Sequence, residues 1–349
     1  LALLGLLACE LHLGPLPHQD PNLPQPAAKP QGGPAQPDAS GEVWVYTSLY
    51  ENVIELLNPL LQEQLPHVKV QWYRAGSEKV ITRLETELKA GSSPADLVLV
   101  SDPFWYHKLQ QEGRLAQHLS LPMLALPRED VDPDARWATS RVSTMVIAYH
   151  PDLIAPDQVP PSFEALATEP MRNKLTLGDP LASGTNFTTL AFLSKRYGWT
   201  YYERLRQLGA VANGGNSAVL QRIEGKEFPV GVVLLENVLT SQAKGSPVRW
   251  LAPKDGVITI PGQVALLSAS DNPAASRLVY DFLLSPKAQA AIVQGDMHSA
   301  RPDVAPPDDT PTLQDLTQAS GFQWSPAFVH EVQSQAPQIK ARFDQVMHR

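Results

Sequence analysis

Cysteine is almost absent from this sequence: among 349 residues there is one, Cys9. An intramolecular disulfide is therefore excluded, as is a zinc site built on several thiolates. Charge is sparse too, at 18% of residues with a net of −8. Phosphate-backbone affinity needs clustered Lys and Arg, so no nucleic-acid partner is expected. No apolar run reaches the ~20 residues that span a bilayer as a helix. There is no GxGxxG, P-loop, HExxH or GxSxG string, which removes the usual signatures of dinucleotide binding, NTP binding, zinc proteolysis and serine hydrolysis. The nine histidines show no metal-ligand spacing and most read as solvated loop residues, so no resident metal or cofactor is expected. Ser241 to Lys244 matches an SxxK string, a match common by chance, and nothing around it supports a nucleophile. Asn186 to Thr188 is a glycosylation sequon by pattern only. An enzyme is not expected.

Proline, by contrast, is abundant at 33, and eight of these lie in residues 12–40 among Gln, Ala and Gly. A segment of that composition cannot bury enough surface to offset its ordering entropy, so it reads as an extended tether. Before it stands LALLGLLAC, an apolar run closing on Ala8 and Cys9. It resembles the end of a bacterial lipoprotein signal, with Leu6, Leu7 and Ala8 as the lipobox; the Leu at its second position is a mild departure. Without a Met and a basic segment ahead of it, the sequence is expected to begin inside that signal. Residues 1–9 are thus read as signal remnant and lipidation site at Cys9, and 10–41 as linker. The body would sit in the periplasm or at the cell surface, held to the membrane by the lipid alone.

From residue 42 strands and helices alternate. EVWVYTS (42–48) is a β-rich run, and YENVIELLNPLLQEQL (50–65) has helical spacing. VKVQWYRAG (68–76) is a strand, and SEKVITRLETELKAG (77–91) a helix with Ser77 as N-cap and Gly91 as stop. ADLVLVSD (95–102) is a buried parallel-type strand. A second series follows: strands at 142–150, 174–180, 228–237 and 261–270, and helices at 183–198, in 210–225, at 272–284, 285–295 and 325–347. This is an α/β fold.

In open α/β sheets, ligands bind beyond the carboxyl ends of strands, where helix N-termini present free N–H groups. Four polar turns sit at such places. They are Thr47-Ser48-Leu49-Tyr50, Arg74-Ala75-Gly76-Ser77, Ser183-Gly184-Thr185-Asn186 and Asn213-Gly214-Gly215-Asn216-Ser217. Any one could be an ordinary cap; four of them, in both halves, favour a shared ligand. An anion held by N–H donors needs few basic side chains, so the net negative charge is no objection.

These segments, in this order and spacing, resemble the periplasmic solute-binding proteins of ABC importers, in the branch of ferric-ion-binding proteins and their sugar-phosphate and phosphonate relatives. The carriers are VWVYTSLYENVIELL, RAGSEKVITRLETELKAGSSPADLVLVSD, GDPLASGTNFTTLAFL, NGGNSAVLQRIEGKEFPVGVVLLEN and FLLSPKAQAAIVQGDMHSARPDV, across about 42–305. The resemblance implies the type II two-lobed fold, with two mixed sheets flanked by helices and a two-strand hinge. The first lobe would hold 42–142 and 264–349, the second 143–263, with VSTMVIAYH and PGQVALLS crossing between them. Iron-binding members carry a Tyr-Tyr pair where this chain has Glu236 and Asn237, and their histidine falls at Tyr50. Their carboxylate falls near Ser101 or Asp102. Tyr201-Tyr202 starts a helix and reads as packing rather than a substitute pair.

The resemblance therefore implies an ABC-importer binding protein for a small organophosphate, first of all a sugar phosphate. Thr47, Ser48, Ser77, Ser183, Gly184 and Thr185 would hold the phosphate, with a charge-assisted bond from Arg74. Asn216, Ser217, Glu236, Tyr50 and Asp102 would read the remainder. A phosphonate whose amine meets Glu236, or a ferric ion with an exogenous anion, are the alternatives. The expected partners are the permease and ATPase subunits, and the protein is expected to be a monomer.

Overall fold

The computed structural model describes residues 39–318 and 321–349. Cys9 and nearly all of the linker assignment lie outside those residues.

The first β-α alternation follows the apolar pattern closely. β1 (Gly41–Thr47) leads to α1 (Glu51–Gln64), β2 (Val68–Arg74), α2 (Ser77–Ala90), β3 (Leu97–Val100) and α3 (Pro103–Gln111). In α2 the buried positions Val80, Ile81 and Leu84 share one face, and Gly91 takes the left-handed conformation (φ 79°) that ends the helix. The N-cap, however, is Gly76; Ser77 is already inside the helix. A short α4 (Leu121–Leu124) precedes the long β4 (Trp137–Tyr149).

The second series runs β5 (Leu175–Leu177), α5 (Gly184–Tyr197), α6 (Trp199–Gln207), β6 (Val211–Ala212), α7 (Asn216–Glu224), β7 (Val230–Leu234), α8 (Leu235–Ala243) and β8 (Arg249–Leu251). The strand expected over 228–237 stops at Leu234, and α8 starts directly after it. Glu236 and Asn237 therefore stand in the first turn of a helix. β9 (Ile258–Leu266) then returns, followed by α9 (Pro273–Leu283), α10 (Pro286–Gln294), β10 (His298–Ser299), α11 (Leu313–Thr317) and α12 (Pro326–Met347). Asn272 and Ser285 cap α9 and α10 through their side chains, each with proline in the first turn.

The strand order is β2-β1-β3-β9-β4-β7-β5-β6, with β8 and β10 also paired to β4. β1, β2 and β3 are mutually parallel at one end, as are β5, β6 and β7 at the other. The antiparallel pair β4/β9 joins the two groups into one ladder. Each group has its own apolar core. Val45, Leu57, Leu99 and Ile292 belong to the first, and Phe163, Phe187, Leu205 and Val230 to the second. The tail was expected to pack with the first lobe. α12 reaches both groups: Gln333 and Lys340 bond to Gln111 and Glu78 of the first, while Phe328, Val332 and Phe343 enter the core of the second, beside Phe187, Phe192 and Tyr202. Tyr201 and Tyr202 are buried in that core, and the Tyr201 hydroxyl donates to Phe163 O at 2.7 Å.

Candidate functional site

The carboxyl ends of the parallel strands in both groups face one cleft of about 430 Å³. Its walls come from the turns that the sequence singled out. Ser48 and Tyr50 follow β1, Arg74 and Ser77 follow β2, Ser183 and Thr185 open α5, and Asn216 and Ser217 open α7. The starts of α2, α5 and α7 thus converge, each presenting N–H groups without an intrahelical acceptor. Their side chains are tied together as well. Asn216 Nδ2 donates to Thr185 Oγ1 at 2.9 Å, and Thr185 Oγ1 lies 2.9 Å from Ser183 Oγ. Gly184 permits the close approach of the two halves here. A Cβ on it would lie 2.5 Å from Ser101 O and 3.2 Å from the Cβ atoms of Ser77 and Asp102.

Two of the expected site residues, Thr47 and Asp102, do something else. Thr47 Oγ1 donates to Leu99 O at 3.0 Å and accepts from Leu49 N at 3.0 Å, so its hydroxyl is consumed in shaping the β1 turn. Asp102 is buried as the N-cap of α3, accepting from Trp105 N at 3.2 Å, behind the cleft rather than in it. Gly184 contributes clearance and a backbone position, as above. Arg74 stands at the mouth, half exposed, 3.3 Å from the Glu51 carboxylate.

The floor of the cleft holds the residue that sequence reading missed. Arg141 lies mid-strand in β4 and is 2% exposed. Its Nη2 donates to Ser48 Oγ at 3.2 Å and to Ser101 Oγ at 3.0 Å, while Nε and Nη1 have no partner among the described residues. Two local features make room for it. The β4/β9 register shifts between Thr139 and Arg141, and the strand opposite carries Gly262. A Cβ at Gly262 would come within 2.8 Å of the Arg141 Cγ and Nη1 atoms. The sequence did carry a signal: a single arginine inside WATSRVSTMVIAY, facing a glycine inside ITIPGQVAL.

Beside Arg141 stand Ser143 and Glu236, which also line the floor. Glu236 is 3% exposed, and its Oε1 has no partner among the described residues. Burial pushes its carboxyl above the ordinary range, opposed by a hydrogen bond from Ser143 and by the Arg141 charge. Burial also depresses the Arg141 guanidinium, opposed first by Glu236; it stays a cation at any physiological pH. Asn216 Oδ1 is a second unpartnered acceptor. The Tyr50 hydroxyl, kept protonated by burial and the Glu236 charge, donates to Asn237 Oδ1 at 2.8 Å across the cleft. Elsewhere, His150 and His298 are buried rather than solvated, and Ser241 of the SxxK string is bonded to Glu224.

Residues 42–295 match the sequence profile of a family described as bacterial extracellular solute-binding protein. Among solved structures, the chain is similar to iron-bound HitA from Pseudomonas aeruginosa, at 18% identity and TM-score 0.75 over 86% of this chain and 99% of that one. It is also similar to the periplasmic binding protein AfuA from Actinobacillus pleuropneumoniae, determined with fructose-6-phosphate, at 17% identity and TM-score 0.76 over 88% and 98%. The ferric binding protein from Campylobacter jejuni gives 19% identity and TM-score 0.71 over 88% and 100%. At such identities the likeness establishes the two-lobed fold and leaves the ligand open.

Proposed function

The chain belongs to the family of bacterial extracellular solute-binding proteins, and from that premise we propose that it delivers a small organophosphate, first of all a sugar phosphate, to an ABC importer. The observation that carries this reading is the pattern of buried, unpartnered polar atoms on residues that line the cleft. Arg141 Nε and Nη1 offer donors; Glu236 Oε1 and Asn216 Oδ1 ask for them. A ligand that satisfies all four has an anionic group and, close to it, hydroxyl or amine donors. Inorganic phosphate has the first, but its only donors are the P–OH groups of the anion itself, with none on a carbon skeleton beside it.

The physical division of labour follows. The phosphate sits against the starts of α2, α5 and α7, where aligned N–H groups and the helix dipoles favour negative charge. The Ser77, Ser183 and Ser217 hydroxyls add neutral donors, Arg141 a buried charge-assisted pair and Arg74 a charge at the mouth. A carboxylate is acceptor-only when ionised, so Glu236 takes up ligand hydroxyls and penalises an apolar ligand. The walls come from both lobes, 42–142 with part of the tail and 143–263, so bound ligand favours closure about β4/β9.

A phosphonate bearing an amine satisfies the same four atoms and is the second reading, with the amine at Glu236. A ferric ion fits less well. The positions that match iron-binding tyrosines hold Glu236 and Asn237, and the Tyr50 phenol is neutral and already bonded to Asn237. The lipid anchor at Cys9 and the 10–41 tether rest on the sequence motif alone, and with them the expectation of a membrane-held protein outside the cytoplasm. Protein purified from its native host and extracted under denaturing conditions tests the ligand class by mass spectrometry. A released phosphate ester supports it; a co-purified metal without an organic phosphate overturns it.

A further inference from the structure

Asp102 was expected to touch ligand but does not line the cleft, and it is a buried carboxyl behind the turn that holds Ser101. Its surroundings come from four elements. α3 supplies the Trp105 N–H that it caps. α2 supplies Glu78, next to the cleft residue Ser77. α12 supplies Lys340, whose Nζ pairs with Glu78 Oε1 at 2.7 Å and lies 4.6 Å from the centre of the Phe187 ring. α5, from the opposite lobe, brings Gly184 against it, with room for nothing larger. The other ionisable groups that act on it or on its neighbour Ser101 are Tyr106 and, through Ser101 Oγ, Arg141. Lys340 therefore sits on a helix packed into the second core while pairing with an acid of the first lobe.

We propose that Asp102, Glu78 and Lys340 form a positioning cluster that couples closure of the cleft to uptake of one proton at the Asp102 carboxyl. The step rests on the reading of this chain as a two-lobed protein that closes. The lid over Asp102 is the start of α5, so opening the lobes at Gly184 returns water to the carboxyl. With Gly184 against it as in this structure, burial first, then the Glu78 charge, raise Asp102 to about 7, and Lys340 opposes the rise. The sign is that of a carboxyl raised in one state. The closed form keeps the proton as pH falls below about 7 and is favoured there. Well above that value neither form holds it and the preference disappears.

The coupling is read without any ligand. The full chain carrying aspartate labelled at the carboxyl carbon is titrated by NMR from about pH 3 to about pH 8.5, with Asp102→Asn to assign the resonance, because Asn keeps the cap to Trp105. The expected midpoint is near 7 in the native chain and higher in Lys340→Met. In Gly184→Ala, whose methyl group wedges the lobes apart against Ser101 O, it falls to the ordinary carboxylate range. A native midpoint in that ordinary range overturns the proposal, as does a midpoint that Gly184→Ala leaves near 7. Hexose phosphates take no part, so failure of the organophosphate reading leaves these midpoints unchanged and is recognised separately.

Discussion

The wall and the floor of the cleft solve the same problem in opposite ways. Apart from Arg74 at its mouth, the wall is neutral: helix starts, serines, threonines and glycines, each contributing a small dipole. The floor is charged: Arg141 and Glu236, almost wholly buried, each with a polar atom left free. Taking a charge out of water costs several kcal/mol, so the floor is the region where the molecule stores an unmet demand for a ligand. On the proposed reading, the wall recognises an anion in general and the floor decides which anion, because it requires donors near the negative group.

That contrast is open to attack by substitution. The largest effect belongs to the floor: Arg141→Ala should weaken binding of a hexose 6-phosphate about a hundredfold, or ~3 kcal/mol, by calorimetry. Next comes Glu236→Gln, for which the hexose phosphate loses about tenfold while inorganic phosphate is held as well as before or better, since the amide trades one acceptor for a donor toward the anion. Equal losses for both ligands would erase the distinction between wall and floor. Ser183→Ala should cost about fivefold, the scale of one neutral hydrogen bond, because the N–H groups of α5 remain. The smallest effect on binding is expected at Thr47→Ala. Its hydroxyl serves only Leu99 O and Leu49 N, so denaturant unfolding should register ~1 kcal/mol of lost stability with affinity unchanged. A fall in affinity there would return Thr47 to the wall.

The same contrast explains what was legible in the sequence. Ser48, Ser77, Ser183, Thr185, Asn216 and Ser217 could be read because turns after strands have a composition, and a helix start exposes N–H groups whatever its tertiary setting. The α2 helix, its glycine stop and the proline-led starts of α9 and α10 were readable for the same local reason. Arg141 was harder to read: its only local mark is a charge inside a strand, and its role depends on a register shift and on Gly262 across the sheet. Asp102 was read as a ligand from its place after β3, but the side chain turns back to cap α3, a choice made by Pro103 and the following helix. The α8 helix was hidden because Leu234 and Leu235 continue the apolar run of β7 without punctuation. The placement of α12 follows from Phe328, Val332 and Phe343 finding the second core, a pairing between residues more than a hundred positions apart.

Titration calorimetry of the full chain against fructose 6-phosphate, glucose 6-phosphate, inorganic phosphate, 2-aminoethylphosphonate and ferric citrate, in one buffer, tests the central claim most directly. The account predicts that a phosphate ester bearing hydroxyls binds at least tenfold more tightly than inorganic phosphate, and that ferric citrate gives no visible phenolate band. Iron binding with that band, and no heat from any organophosphate, would contradict it.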